Sequence, residues 1–232
     1  MSVILVFLLV IAGISFWWLS QQGLMSKPWL EQGAPLPGLE DTGIPTAKLG
    51  LAVFLAVVGC LFALFASAYF MRMALSDWQA PPVPRVLWVN TGILILSSIA
   101  LQCAVVAARK GDAEMTKLAL VTSGLTALVF LAGQLLAWRQ LSREGFLLDS
   151  NPANSFFYLL TGMHGLHILG GLVALGATTA KAFAEEPPQS LRNSVELCAM
   201  YWHFLLFIWF GLFILLAGWA NDFIEICRQL LS

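Results

Sequence analysis

The stretch SFFYLLTGMHGLHILGGLVAL, Ser155 to Leu175, decides the fold. It contains no Asp, Glu, Lys or Arg, and the mainly apolar run around it covers 155–181. At ~1.5 Å rise per residue, about 20 such residues cross the ~30 Å hydrocarbon layer of a bilayer. Five further runs qualify on the same ground: 2–20, 48–75, 85–108, 117–138 and 195–220. Composition agrees. The chain is 59% hydrophobic and 11% charged, against about 25% charged in soluble domains. The expected fold is therefore all-α, a polytopic membrane helical bundle of six transmembrane helices.

The connectors divide this bundle unevenly. Residues 21–47 hold Pro28, Pro35, Pro37 and Pro45 with four interleaved glycines, a pattern that neither helix nor central strand tolerates. The expected organisation is an N-terminal transmembrane helix over 1–20, a Pro/Gly-rich linker over 21–47, and a five-helix bundle over 48–232. The N-terminal run lacks a positive n-region and an A-x-A cleavage site, so it reads as a retained helix and not a signal peptide. Pro81, Pro82 and Pro84 end the second span, 109–116 is a charged turn, and 139–154 and 182–194 read as polar loops. Trp17, Trp18, Trp88, Trp138 and Trp219 fall near the span ends, where an indole is favoured.

Charge limits the partners. A net charge of -1 provides no field for nucleic acid. Cys60, Cys103, Cys198 and Cys227 are too scattered for a disulfide framework or a zinc site. With the N-terminus outside, the cytoplasmic side holds Lys27, Lys48, Arg109, Lys110, Lys117, Lys181 and Arg192, and the outer side Arg72, Arg85, Arg139, Arg143 and Arg228. Seven against five favours placing both termini outside.

Ionisable groups within a span are functional candidates by default. The three histidines, His164, His167 and His203, all lie in the last two spans. His164 stands nine residues into its run, about 13 Å from the start and so near mid-membrane. His203 follows Glu196 by seven residues, two helical turns, which puts the two on one face. Two readings stand. The histidines could be axial ligands of a b-type heme, His164 or His167 paired with His203. Alternatively they hydrogen-bond neighbouring helices or meet lipid headgroups. Gly170, Ala174 and Thr178 form a small-xxx-small row on which another helix could pack closely, and Gly162 and Gly165 thin the surroundings of His164. The uncharged polar residues Asn90, Thr91, Ser97, Ser98, Gln102, Thr122, Ser123 and Gln134 are expected to join helices. No chain of acids and bases crosses the membrane, and no internal repeat marks a transporter.

Two elements taken together resemble subunit III of the heme–copper terminal oxidases. The first is T-G-M-H-G-L-H at Thr161 to His167; the second is Glu196, four residues, then Tyr201-Trp202-His203-Phe204, with Trp209 six residues past the histidine. Upstream, Asp77 to Pro82 resembles that family's D-W-x-x-P-P turn, Trp88 to Ser98 (WVNTGILILSS) its W-x-N-T helix, and Gly133, Gln134 and Trp138 the helix after it. The likeness covers about residues 48–220.

The resemblance implies a non-redox subunit that packs beside the catalytic subunit I of a proton-translocating cytochrome c or quinol oxidase. Subunit II and small subunits would complete the complex in a bacterial inner (plasma) membrane. Heme and copper would sit in those partners, with no cofactor, metal or catalytic residue in this chain. The family holds phospholipids in a cleft and supports sustained turnover and proton uptake during oxygen reduction. Glu196, Tyr201, Trp202, His203, His164, His167 and Trp209 are, on this likeness, its lipid-contact or helix-packing residues. The sequence departs from the family in three ways. An extra N-terminal span precedes a five-helix core, Val58 stands at a buried glutamate position, and Leu206 replaces the aspartate of H-F-V-D. With both acids gone, a proton-relay role is not expected here.

Overall fold

Helix starts and stops follow local chemistry in the computed structural model, which describes residues 46–185 and 187–218. The expected span over 2–20, the linker up to residue 45 and Trp219 lie outside the described residues. Helix α1 runs Thr46–Met73 and the proline-rich segment after it forms no helix. Helix α2, Arg85–Lys110, begins directly after Pro84 and stops at Gly111. Gly111 has φ 76°, and its amide closes on the carbonyls of Ala107 and Ala108. Glycine takes this left-handed stop without a Cβ penalty. Helix α3, Ala113–Arg143, is capped by Asp112, which accepts from the Met115 amide at 3.0 Å. Helix α4, Pro152–Phe183, is capped by Asn151 with Pro152 in its first turn, and α5, Pro188–Leu216, also opens on a proline.

Three helices outrun their apolar cores. Within the segments 139–154 and 182–194, expected as loops, residues 139–143, 152–154, 182–183 and 188–194 are helical. The reason is that polar residues end the hydrocarbon-compatible run but not the backbone ladder. Arg139, Gln140 and Arg143 are good helix formers, and the caps lie beyond them. In the other direction, α5 stops at Leu216, short of the expected 220.

Five described helices are long and apolar enough to cross a membrane. Helices α2, α3, α4 and α5 close a ring in which each packs on two neighbours. Helix α1 stands outside the ring, against α5 and α4. Only 11% of the most apolar window of α1 is buried, against 50% for α5. Inside the ring, Leu94, Phe130, Phe157, Leu160, Leu205 and Trp209 fill one end of the core, and Leu101, Leu120, Leu175, Val195 and Trp202 the other. The all-α bundle expected from the sequence is the fold observed.

Candidate functional site

Helix α5 carries four of the singled-out residues to one antiparallel seam with α2. Trp209 Nε1 donates to Thr91 Oγ1 at 2.9 Å, and Trp202 Nε1 to Ser97 Oγ at 2.9 Å. His203 lies between α2 side chains, with Ser98 Oγ 2.6 Å from Nδ1 and Gln102 Oε1 3.0 Å from Nε2. Since Oε1 accepts, Nε2 carries the proton and Nδ1 accepts from the Ser98 hydroxyl. At the end of the seam Arg109 Nε donates to Glu196 Oε1 at 3.0 Å. Trp202 and Trp209 are fully buried, whereas His203 sits on the exposed rim of the bundle.

A second seam joins α5 to α4. His164, fully buried, donates from Nε2 to the Leu205 carbonyl at 3.1 Å, and its ring lies 4.9 Å from that of Trp209. Tyr201 donates its hydroxyl to the His167 carbonyl at 2.8 Å, and His167 Nδ1 donates to its own helix at Met163 O. Thr178 meets Cys198, and Lys181 donates to Ser194. The close approach falls one residue from the expected row. A methyl group at Gly171 would lie 2.7 Å from both Trp202 and Tyr201, whereas Gly170 and Ala174 face an open groove. Gly171 leads because α5 presents two large rings there. The uncharged polar residues serve the same purpose between α2 and α3. Asn90 donates to Phe130 O and Gln134 Oε1, and Ser97 and Ser123 bond each other's carbonyls. A side chain at Gly133 would strike Asn90 Oδ1, so that crossing needs glycine.

Among the described residues Glu196 is the one acid paired with three cations. Lys48 of α1 reaches Oε2 at 3.1 Å; Arg109 of α2 and Arg192 of α5 reach Oε1 at 3.0 and 3.3 Å. The carboxylate side chain is 11% exposed, so its charge is compensated by cations from three helices. Glu196 and His203 share a side of α5, yet each binds different partners. Arg192 stands four residues before Glu196 and was readable as a helical pair. Lys48 and Arg109 were not readable, because 148 and 87 residues separate them from Glu196.

Two apolar grooves flank α1. One, about 420 Å³, lies between Phe62, Ala66, Phe204, Phe207 and Leu212, among others. The other, about 320 Å³, lies between Leu51, Phe54, Gly170, Ala174, Leu197 and Tyr201. Val58 is buried in the apolar core and Leu206 is partly buried against it. The three imidazoles are spent on separate hydrogen bonds, and among the described residues no group of three or more His, Cys, Asp or Glu could hold a metal ion.

Fold and seams together define an integral membrane protein whose polar side chains are used to lock helices. The family model for cytochrome c oxidase subunit III matches residues 46–221. A probable cytochrome c oxidase subunit 3 of Nocardia farcinica is 31% identical over 171 residues, covering 72% of this chain and 84% of the relative. The subunit 3 of Thermostichus vulcanus is 35% identical over 174 residues, 72% of this chain and 85% of its own length. That of Synechocystis is 32% identical over 183 residues, covering 75% and 76%. The chain belongs to the cytochrome c oxidase subunit III family.

Proposed function

We propose that this chain acts as the non-redox subunit III of a proton-translocating heme–copper oxidase that reduces oxygen to water in a bacterial inner membrane. It packs beside the catalytic subunit I, in a complex with subunit II, and holds phospholipid acyl chains in the two grooves beside α1. The observation that carries this reading is the use made of the two family elements. His164 of T-G-M-H-G-L-H bonds Leu205 O and Tyr201 of Y-W-H-F bonds His167 O across the α4–α5 seam, while Trp202 and His203 bond α2 on the other side of α5. Both grooves open beside that seam and are lined almost wholly by apolar groups. The b-type cytochrome reading would need two imidazoles turned to one cavity, and nothing favours it.

The test is an oxidase purified with and without this chain. Without it, initial oxygen reduction should be kept, and activity should fall during continued turnover. Abolished initial turnover with intact hemes would assign chemistry to the chain and defeat the proposal. A stoichiometric Soret band on the isolated chain, lost in His203→Ala, would restore the cytochrome reading.

A further inference from the structure

Positive charge is compensated unevenly along this molecule. Around Glu196, Lys48, Arg109 and Arg192 share one carboxylate, and Lys117 lies near Glu114 and Glu185. At the opposite end Arg72 is held by Asp77. Arg139 and Arg143, in the last turns of α3, have no ion pair or hydrogen bond among the described residues. Glu144 follows them directly and pairs with neither.

These two arginines are one turn apart and line a shallow groove of about 500 Å³ with Leu135, Trp138 and Ser142. The groove wall is fixed from behind by α4. Trp138 Nε1 donates to Thr161 Oγ1 at 3.0 Å, and the Trp138 ring lies 5.8 Å from that of Tyr158. Tyr158 gives its hydrogen to Phe146 O, so Ser142, 3.2 Å from the Tyr158 hydroxyl, donates to it. A hydrogen-bonded indole, an apolar side chain below it and two uncommitted guanidinium forks thus line one groove along the last two turns of α3. A helix C-terminus favours nearby cations through its dipole, but that attraction leaves their N–H donors unused. Phosphate oxygens match a guanidinium fork in geometry and charge. Trp at this depth marks the headgroup level. Exposed Leu135 and Leu128 continue the apolar face towards mid-membrane, where an acyl chain would lie.

We propose that Arg139 and Arg143, with Trp138 as wall, bind the phosphate of an anionic phospholipid in the leaflet at the Asp77 end. This site is separate from the grooves beside α1. The inference requires the chain to span a bilayer and does not require its oxidase role.

The experiment is native mass spectrometry of the full chain in mild detergent with added phosphatidylglycerol or phosphatidylcholine. Wild type is compared with Arg139→Gln/Arg143→Gln and with Arg139→Lys/Arg143→Lys, helicity being checked by circular dichroism. Wild type should retain at least one phosphatidylglycerol that the Gln pair loses. The Lys pair, which keeps charge but loses the fork, should retain it less tightly. Equal phosphatidylglycerol retention by wild type and the Gln pair would overturn the proposal, as would equal retention of the two lipids by wild type. Displacement of the lipid by inorganic phosphate alone would assign the groove to a free anion and overturn it too. The oxidase role is read separately, by copurification of the other subunits. If the Gln pair released those subunits while lipid retention stayed unchanged, the groove would be a protein-docking surface, and the lipid proposal would fail while the oxidase reading stood.

Discussion

At Gly171 the α4–α5 seam has no room for a side chain. An added methyl would meet Trp202 Cζ3 and Tyr201 Cε1 at 2.7 Å, and Trp202 is fully buried. Overpacking of this kind costs about 1–3 kcal/mol, whereas a single hydrogen bond between membrane helices averages about 0.6 kcal/mol. Gly171→Ala should therefore destabilise the bundle more than Tyr201→Phe, which only removes the bond to His167 O. Unfolding in a graded denaturing detergent measures both, and a larger loss in Tyr201→Phe would show that the hydroxyl's bond to His167 O, not the close approach, holds the seam. Asp77 provides a contrast in the loop after α1. Arg72 donates to both of its oxygens, at 2.7 and 2.5 Å, and holds the carboxyl below its ordinary value. A depressed carboxyl contributes stability above the ordinary carboxylate range and loses it as pH falls through the lowered value. Asp77→Asn should accordingly lower the thermal midpoint slightly at pH 7, with the gap closing in acid and in high salt, because the pair is exposed. A gap that survived at both extremes would make the contact steric and not ionic.

The polar ties of helix α1 to the ring lie at its ends. Lys48 pairs with Glu196 at one end; at the other, Tyr69 reaches Leu215 O and stacks edge-on with Trp78 and Phe156. Between them Val58 and Phe62 are buried against the ring, Phe62 beside the His164 and His167 rings, with an apolar groove on either side. Loss of one tie should loosen that end only. In a background with Cys60, Cys103 and Cys227 replaced by Ser, Glu196→Gln should speed maleimide labelling of buried Cys198, which lines the groove nearest Lys48. An unchanged rate would mean that apolar contact alone holds α1 there. The helices themselves were legible in the sequence, because apolar length and proline breaks are local signals. The motif residues were legible too, and so was the helix-joining use of Asn90, Ser97 and Gln134. Their pairings were not, since Thr91 finds Trp209 across 118 residues. The small row was misplaced for a related reason. Gly170 and Gly171 are adjacent in the sequence, and only the position of the facing rings of Tyr201 and Trp202 decides which of them is crowded.

Across the whole described molecule, the antiparallel ring sorts charge by end. Lys48, Arg109, Lys110, Lys117, Lys181 and Arg192 gather at the Glu196 end, and Arg72, Arg85, Arg139 and Arg143 at the Asp77 end. Topology follows the cytoplasmic excess of Lys and Arg near span ends, with Asp and Glu counting for little. Six against four favours the Glu196 end as the cytoplasmic one, by the same residues that set the expectation from the sequence. The ends also differ in kind: every Lys of the described bundle is at the Glu196 end, and the Asp77 end uses Arg alone. The two interhelical turns offer a direct reading. In a cysteine-free background, Asp112→Cys between α2 and α3 should react with a membrane-impermeant maleimide only in inverted vesicles. Asp149→Cys between α3 and α4 should react only in intact spheroplasts. The opposite pattern would invert the bundle and move the Arg139 groove to the cytoplasmic leaflet. Reaction of both sites from one side would mean that α3 does not cross the membrane at all. That outcome would contradict the Asn90–Gln134 and Ser97–Ser123 contacts, which run α3 antiparallel to α2 along most of its length.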